Sequence, residues 1–323
     1  MDNQRLHTAH SDKKDEFYTK YETIEDELKH YWAHLRGKIV YCNCDRPKTS
    51  NFWKYFKKHF EEIGIRELWS TYYSESGRPY YSILTYVNGK LKTSRKKLRG
   101  NGDYRSAECV EILKQSDVVV TNPPFSLAKH FVPMMYQYGK DFLILANQNI
   151  LTFKGIHEFI ANGSLRRGRT IDSGDVEFEI PSDYELIGSA IERDGKKYAK
   201  VTGIRWFTNI DYGWYPEPMS FNSKYWNLKY NSTLSKALWT RYGRKSYPRY
   251  DNAEAIEVPY TAAIPKNYDG VMGVPLTFFD KYNPSQFEIV GIRKGTDGKD
   301  LRINGVTPYF RFLIKFRQPA AAA

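Results

Sequence analysis

Cysteine is scarce in this chain of 323 residues: Cys42, Cys44 and Cys109 are all there are. Three is too few, and an odd number, for a disulfide framework, which points to a reducing cytosol. Long apolar runs are lacking too. No stretch approaches the roughly 18 residues of a membrane span, and Met1 to Lys14 is too polar for a signal peptide. No membrane is expected as a partner. The seven histidines are scattered without ligand spacing, and Cys42-x-Cys44 has no second Cys/His cluster near it in sequence, so no metal site is expected. Acids are in deficit, 37 against 49 Lys and Arg, for a formal charge of +12. Internal repeats are absent. The closing Pro319-Ala-Ala-Ala reads as a cloning remnant.

What is abundant is aromatic. Phe, Trp and Tyr make up 16 % of the chain, with 26 tyrosines. A positive field of this size favours an anionic partner. Rings interleaved with Lys and Arg suit nucleic acid, because bases stack on rings while cations meet phosphates.

Up to about residue 150 the chain alternates strand and helix patterns, which predicts a doubly wound, mostly parallel sheet. Tyr21, Ile24, Leu28, Tyr31, Trp32 and Leu35 recur at helical spacing, and Gly37 stops them. Lys38 to Asp45 reads as the first strand. A helix with Phe52, Trp53, Phe56, Phe60 and Ile63 on its apolar face follows, then a second strand over Ile65 to Tyr73. Tyr80 to Val87 and Lys90 to Arg99 flank Asn88-Gly89, a strong hairpin signal. The second arm carries six cations (Lys90, Lys92, Arg95, Lys96, Lys97 and Arg99) and no acid. It is either a lysine-protected edge or an arm for phosphates. Val176 to Ile180 and Ile204 to Ile210 are expected to finish the sheet as antiparallel strands. Residues 212–250 hold seven Lys and Arg against one acid, Glu217, among many aromatics. They are read as a nucleic-acid surface through Lys224, Arg241, Arg244, Lys245 and Arg249. A boundary near 212 separates a first domain, with the basic hairpin inserted at about 74–100, from a recognition region over 213–319, with 320–323 set apart.

Asp117 to Ser126 reads Asp-Val-Val-Val-Thr-Asn-Pro-Pro-Phe-Ser. Three β-branched valines make a strand buried on both faces, and Pro123-Pro124 forbid its continuation. Ligands in open α/β sheets bind just outside such strand ends. The Asn122 side-chain carbonyl and the Pro123 backbone carbonyl can accept both hydrogens of an exocyclic amine. That shifts its nitrogen toward a tetrahedral arrangement and aims the lone pair at an incoming methyl group. Pro124 rigidifies the loop, and Phe125 offers a face for a base. S-adenosylmethionine would be the donor, without a metal. The same motif serves cytosine N4, RNA adenine and glutamine side chains, and the motif alone leaves these open.

Further stretches carry a resemblance: Asp15-Glu-Phe-Tyr-Thr19, Val40-Tyr-Cys-Asn-Cys-Asp45 with Ser50-Asn-Phe52, Gly102-Asp-Tyr-Arg-Ser106, Tyr268-Asp-Gly-Val-Met-Gly-Val-Pro275, Asn283-Pro-Ser-Gln-Phe-Glu288 and Pro308-Tyr-Phe-Arg-Phe-Leu-Ile-Lys315. With Thr121 to Ser126 they make the chain similar to the EcoRI-type adenine-N6 DNA methyltransferases over nearly its whole length. The resemblance implies a Rossmann-like seven-stranded sheet and S-adenosylmethionine as cofactor. It implies cofactor contacts from Phe17, Tyr18, Thr19, Tyr41, Cys42, Asn43, Cys44, Asp45, Asp103, Tyr104 and Asn122, with Asp103 accepting from the cofactor's adenine. The target adenine, flipped out of duplex DNA, would be held by Asn122, Pro123, Pro124 and Phe125. A cytoplasmic monomer of bacterial, archaeal or phage origin, paired with a separately encoded restriction endonuclease, would fit. The loop Cys42-Asn43-Cys44-Asp45 departs from most methyltransferases in having no Gly-x-Gly, and Glu75 is a candidate for the cofactor ribose. An RNA methyltransferase and a non-catalytic DNA-binding relic are the other readings.

Overall fold

A computed structural model describes residues 17–75, 77, 79–171, 175–181 and 190–317. Asp15, Glu16 and Pro319 to Ala323 lie outside the described residues. The chain is mixed α/β, and it divides into two compact units, one within 1–156 and 165–212, the other within 157–164 and 213–323.

Strands of the first unit are β1 (Tyr18–Thr19), β2 (Ile39–Cys42), β3 (Glu67–Ser70), β4 (Tyr80–Val87), β5 (Lys90–Lys97), β6 (Val118–Thr121), β7 (Asp141–Asn147), β8 (Arg166–Arg167), β9 (Asp175–Ile180), β10 (Ile191–Arg193), β11 (Lys196–Thr202) and β12 (Ile204–Thr208). The main sheet runs β5-β4-β3-β2-β6-β7-β12-β8. It has eight described strands where seven were expected. Its centre, β3-β2-β6-β7, is parallel, and the flanking pairings are antiparallel. All four residues of β2 and of β6 are buried, as continuous apolar runs in a doubly covered sheet should be. Because β2 and β6 are parallel neighbours, their carboxyl ends share one edge. Asp117 fixes the opposite end by accepting from the Ile39 N–H at 2.7 Å.

Two expectations change. β9 does not finish the main sheet. It sits in a four-stranded sheet ordered β1-β9-β11-β10. Its residues alternate, with Val176, Phe178 and Ile180 buried, a pattern for a sheet with one dry face. Its outward Glu177 and Glu179 pair with Lys20, Arg193 and Lys196. The predicted helix through Leu35 is broken into Tyr21–Leu28 and Trp32–Leu35. The break lets Tyr31 turn inward and donate to Glu27 at 2.8 Å.

The basic hairpin forms as read. Asn88 and Gly89 have φ of 50° and 76°, the doubly left-handed turn that matches strand twist. Lys90, Lys92, Arg95, Lys96, Lys97 and Arg99 are all exposed.

In the second unit, β13 (Arg249–Tyr250), β14 (Ala253–Glu257), β15 (Val271–Pro275), β16 (Phe287–Ile292) and β17 (Arg311–Phe316) form a sheet ordered β13-β14-β15-β17-β16. Glu257 and Arg311 are a buried ion pair, 2.6 Å at the closest atoms. Tyr242 donates to the same carboxylate at 2.8 Å, and Tyr250 also donates to it. Two helices, Lys224–Tyr230 and Ser232–Tyr242, carry exposed Tyr225, Trp226, Tyr230 and Trp239. Arg241, Arg244, Lys245 and Arg249 are exposed there, and Lys224 is half-buried with its ammonium over the Tyr268 ring.

Candidate active site

Four stretches far apart in sequence converge near the carboxyl ends of β2 and β6. The first is Phe17 to Thr19. β1 places it by pairing antiparallel to β9, Tyr18 opposite Glu179 and Thr19 opposite Phe178. Two asparagine side chains then pin its backbone. Asn122 Nδ2 donates to the Phe17 carbonyl at 2.7 Å, and Asn51 Nδ2 donates to the Thr19 carbonyl at 2.8 Å.

The second stretch is the loop after β2. Tyr41 and Cys42 lie inside β2 rather than in this loop, and both are wholly buried. The Tyr41 hydroxyl meets Thr71 Oγ1 at 2.6 Å. Any ligand contact from these two is therefore through backbone. The loop proper begins at Asn43, whose carbonyl accepts from Thr71 Oγ1 at 3.3 Å. Cys44 is half-buried. Burial, and then Asp45, hold its thiol well above the usual range, so it is neutral.

Asp45 is buried. It does not face outward. Oδ1 accepts from Ser50 Oγ and Oδ2 from Thr121 Oγ1, each at 2.6 Å. Its N–H donates to the Thr71 carbonyl at 3.0 Å, and Ser70 Oγ donates to its carbonyl. Ser50 in turn caps the helix Asn51–Lys58, accepting from Phe52 N and Trp53 N. The carboxylate thus joins the loop, the helix start and the end of β6.

Burial pushes the Asp45 carboxyl from 3.8 up to about 6, against the pull of the Ser50 and Thr121 hydrogen bonds. The sign follows. A folded-state value above the unfolded one means that the folded chain holds the proton more tightly. The group's contribution to stability is complete below about pH 4 and is lost as pH rises through about 6, about 3 kcal/mol in all. An Asp45→Asn variant lacks this dependence. In urea unfolding, its stability relative to the parent should improve between pH 4 and pH 7. A constant difference across that range would show that the buried charge is not felt.

The third stretch is Thr121 to Phe125. Asn122 is half-buried. Its Nδ2 is committed to Phe17, while its Oδ1 is buried with no partner among the described residues. A buried acceptor left open costs about 1–3 kcal/mol, and such atoms call for a functional reason. Thr19 Oγ1 is open in the same way. One face of Phe125 is already taken. Its ring stacks on Phe17, centroids 5.4 Å apart at 21°, and Phe178 meets both rings edge-on at 5.7 Å. Phe178 was not legible in the sequence as a site residue, because only the β1-β9 pairing brings it there.

The fourth stretch is Asp103-Tyr104. The preceding Gly102 has φ +81°, and a Cβ there would lie 2.0 Å from the Tyr72 carbonyl oxygen, so only glycine fits. Asp103 accepts from Arg105 at Nε (3.0 Å), Nη2 (2.6 Å) and the backbone N–H (2.9 Å). Those bonds hold its carboxyl below the usual range. Three bonds leave room for one more donor on a two-oxygen acceptor. The carboxylate is close enough to raise the Cys44 thiol, which puts it beside the β2 loop. Tyr104 is buried against Phe131, centroids 5.1 Å apart, so its ring serves packing. Glu75 is exposed in the loop that follows β3.

Comparison with known proteins gives one consistent result. The family described as "Adenine-specific methyltransferase EcoRI" matches residues 5–307. The chain is 40 % identical over 329 aligned residues to the Type II methyltransferase M.EcoRI of Escherichia coli, spanning 97 % of this chain and 96 % of the relative. It is 32 % identical to the Type II methyltransferase M.MgeORF184P of Mycoplasma genitalium, over 95 % and 96 % of the two chains. It is 34 % identical to the Type II methyltransferase M.MpnI of Mycoplasma pneumoniae, over 86 % and 82 %. A solved structure, YeaZ from Pseudomonas aeruginosa, overlaps 38 % of this chain and 62 % of its own at 12 % identity with a TM-score of 0.15, too low a likeness to bear on the fold.

Proposed function

The chain belongs to the adenine-specific methyltransferase EcoRI family, and from that premise we propose that it methylates N6 of an adenine flipped out of duplex DNA. The observation that carries the mechanism is the open Asn122 Oδ1. With Nδ2 held by Phe17, the amide cannot flip without losing that bond, so the oxygen is the atom kept for a ligand. An adenine amine is a donor of two hydrogens and a poor nucleophile. Asn122 Oδ1 takes one hydrogen and the Pro123 carbonyl the other, leaving the lone pair directed at the donor. Phe125, backed by Phe17 and Phe178, fixes the plane of the base.

The residues suit S-adenosylmethionine. Thr19 Oγ1, the Asn43-Cys44 loop and the spare acceptor of Asp103 supply a hydroxyl, backbone groups and a carboxylate in one place. When bound, the cofactor supplies an electrophilic methyl group on sulfonium. The proton lost from the methylated amine goes to water. We read the parallel centre of the main sheet as the doubly wound, Rossmann-like methyltransferase core, with the second unit as the target-recognition region. The basic hairpin and the cations of the second unit would bind DNA phosphates. We place the enzyme in the cytoplasm as a monomer, within a restriction-modification system whose nuclease is a separate chain.

The test is product analysis. Incubation with labelled cofactor and duplex DNA, RNA or protein, followed by digestion, should yield N6-methyladenine from DNA alone. Label found only in RNA would overturn the reading.

A further inference from the structure

The hydrogen bonds around Asn122 close on themselves. Asn122 Nδ2 donates to the Phe17 carbonyl at 2.7 Å. Two residues on, the Thr19 carbonyl accepts from Asn51 Nδ2 at 2.8 Å. Asn51 follows Ser50, whose hydroxyl donates to Asp45 at 2.6 Å. The other oxygen of Asp45 accepts from Thr121 at 2.6 Å, and Thr121 adjoins Asn122. The loop is continuous through side chains and short backbone links. Thr121, Asp45 and Ser50 are all buried, so water does not compete for these bonds.

From this circuit we propose that Asp45 and Thr121 are positioning residues for catalysis: they set the orientation of the Asn122 amide, so that Oδ1 rather than Nδ2 faces the substrate amine. Asn122 needs this help because its two amide ends are nearly the same size and only hydrogen bonding tells them apart. The Phe17 carbonyl supplies the discrimination. Its place depends on Thr19 and Asn51, and the place of Asn122 depends on Thr121. Asp45 ties the two sides together with one rigid acceptor group. A displacement of about 1 Å at such a position is enough for a large loss of rate.

The inference rests on the reading of Asn122 as the amine acceptor, and the experiment separates the two. Thr121→Val removes the hydroxyl and keeps the shape. Single-turnover rates on duplex DNA are normalised to the fraction of enzyme that binds S-adenosylhomocysteine by calorimetry, so misfolded protein does not count. The expected result is a fall in rate of about 10- to 100-fold, with cofactor and DNA dissociation constants changed less than about threefold, and recovery in Thr121→Ser. Ser50→Ala, which cuts the circuit at its far side, should slow the reaction in the same sense. If Thr121→Val and Ser50→Ala keep the parental rate while Asn122→Ala is inactive, the circuit does not position the amide and the proposal fails. If Asn122→Ala itself turns over normally, the underlying assignment fails instead. A loss in Thr121→Val that Thr121→Ser does not recover also overturns the proposal.

Discussion

Asn122→Ala should lose turnover by about 100- to 1000-fold, the usual effect of deleting one preorganised hydrogen-bonding group from a reacting centre. The expectation follows from the open Oδ1, which is buried and has no partner among the described residues. Deleting it removes an acceptor that no described residue uses. Binding should survive. In the fold Asn122 Nδ2 donates to the Phe17 carbonyl at 2.7 Å, a single neutral hydrogen bond worth about 0.5–1.5 kcal/mol. Cofactor affinity should therefore fall no more than about tenfold, and DNA affinity less. Pre-steady-state rates with calorimetric dissociation constants would read both quantities. Normal turnover in this variant would remove Asn122 from the chemistry.

Glu27→Ala should destabilise the first unit by about 3–5 kcal/mol, because it strips the shared acceptor from four hydrogen bonds, and each buried donor left unmade costs about 1–3 kcal/mol. Glu27 is wholly buried. Its carboxylate accepts from the Tyr31 hydroxyl (2.8 Å), Arg169 N (2.8 Å), Thr170 N (2.8 Å) and the Thr170 hydroxyl (2.6 Å). Alanine leaves those donors without their shared acceptor. The close approach depends on Gly168, where a Cβ would lie 2.4 Å from Glu27 Oε1 and 2.3 Å from Trp206. At about 2–4 °C per kcal/mol for a unit of this size, melting should drop by roughly 10 °C. A loss under 1 kcal/mol in urea titration would mean that the loop re-pairs its donors elsewhere. Glu27→Gln should fall between the two, since one amide oxygen still accepts while the other position now donates toward an N–H.

Some features were readable from sequence because their causes are local. The valine run gives β6, the two prolines end it, and Asn88-Gly89 turns the hairpin. Others depend on partners that the sequence does not put side by side. An aspartate before a turn, such as Asp45, reads as a ligand or surface group until Ser50 and Thr121 are seen to enclose it. The spacing of Tyr21 through Leu35 stays helical across a real break, because Tyr31 turns toward Glu27 without disturbing the periodicity. Val176 to Ile180 shows one apolar face, which says strand but not which sheet. Phe178 and Phe17 join the site only through that strand's pairing with β1.

The enclosure of Asp45 also bears on how such a chain can change over generations. Its two oxygens tie positions 45, 50 and 121 into one unit of inheritance, although 76 residues separate Asp45 from Thr121. A lineage that replaces Thr121 with an aliphatic residue strands a carboxylate inside the protein, so the tolerated route runs through a paired change at 45. The motif's asparagine can be kept letter for letter while the residue before it is held by a partner 76 residues away in the chain.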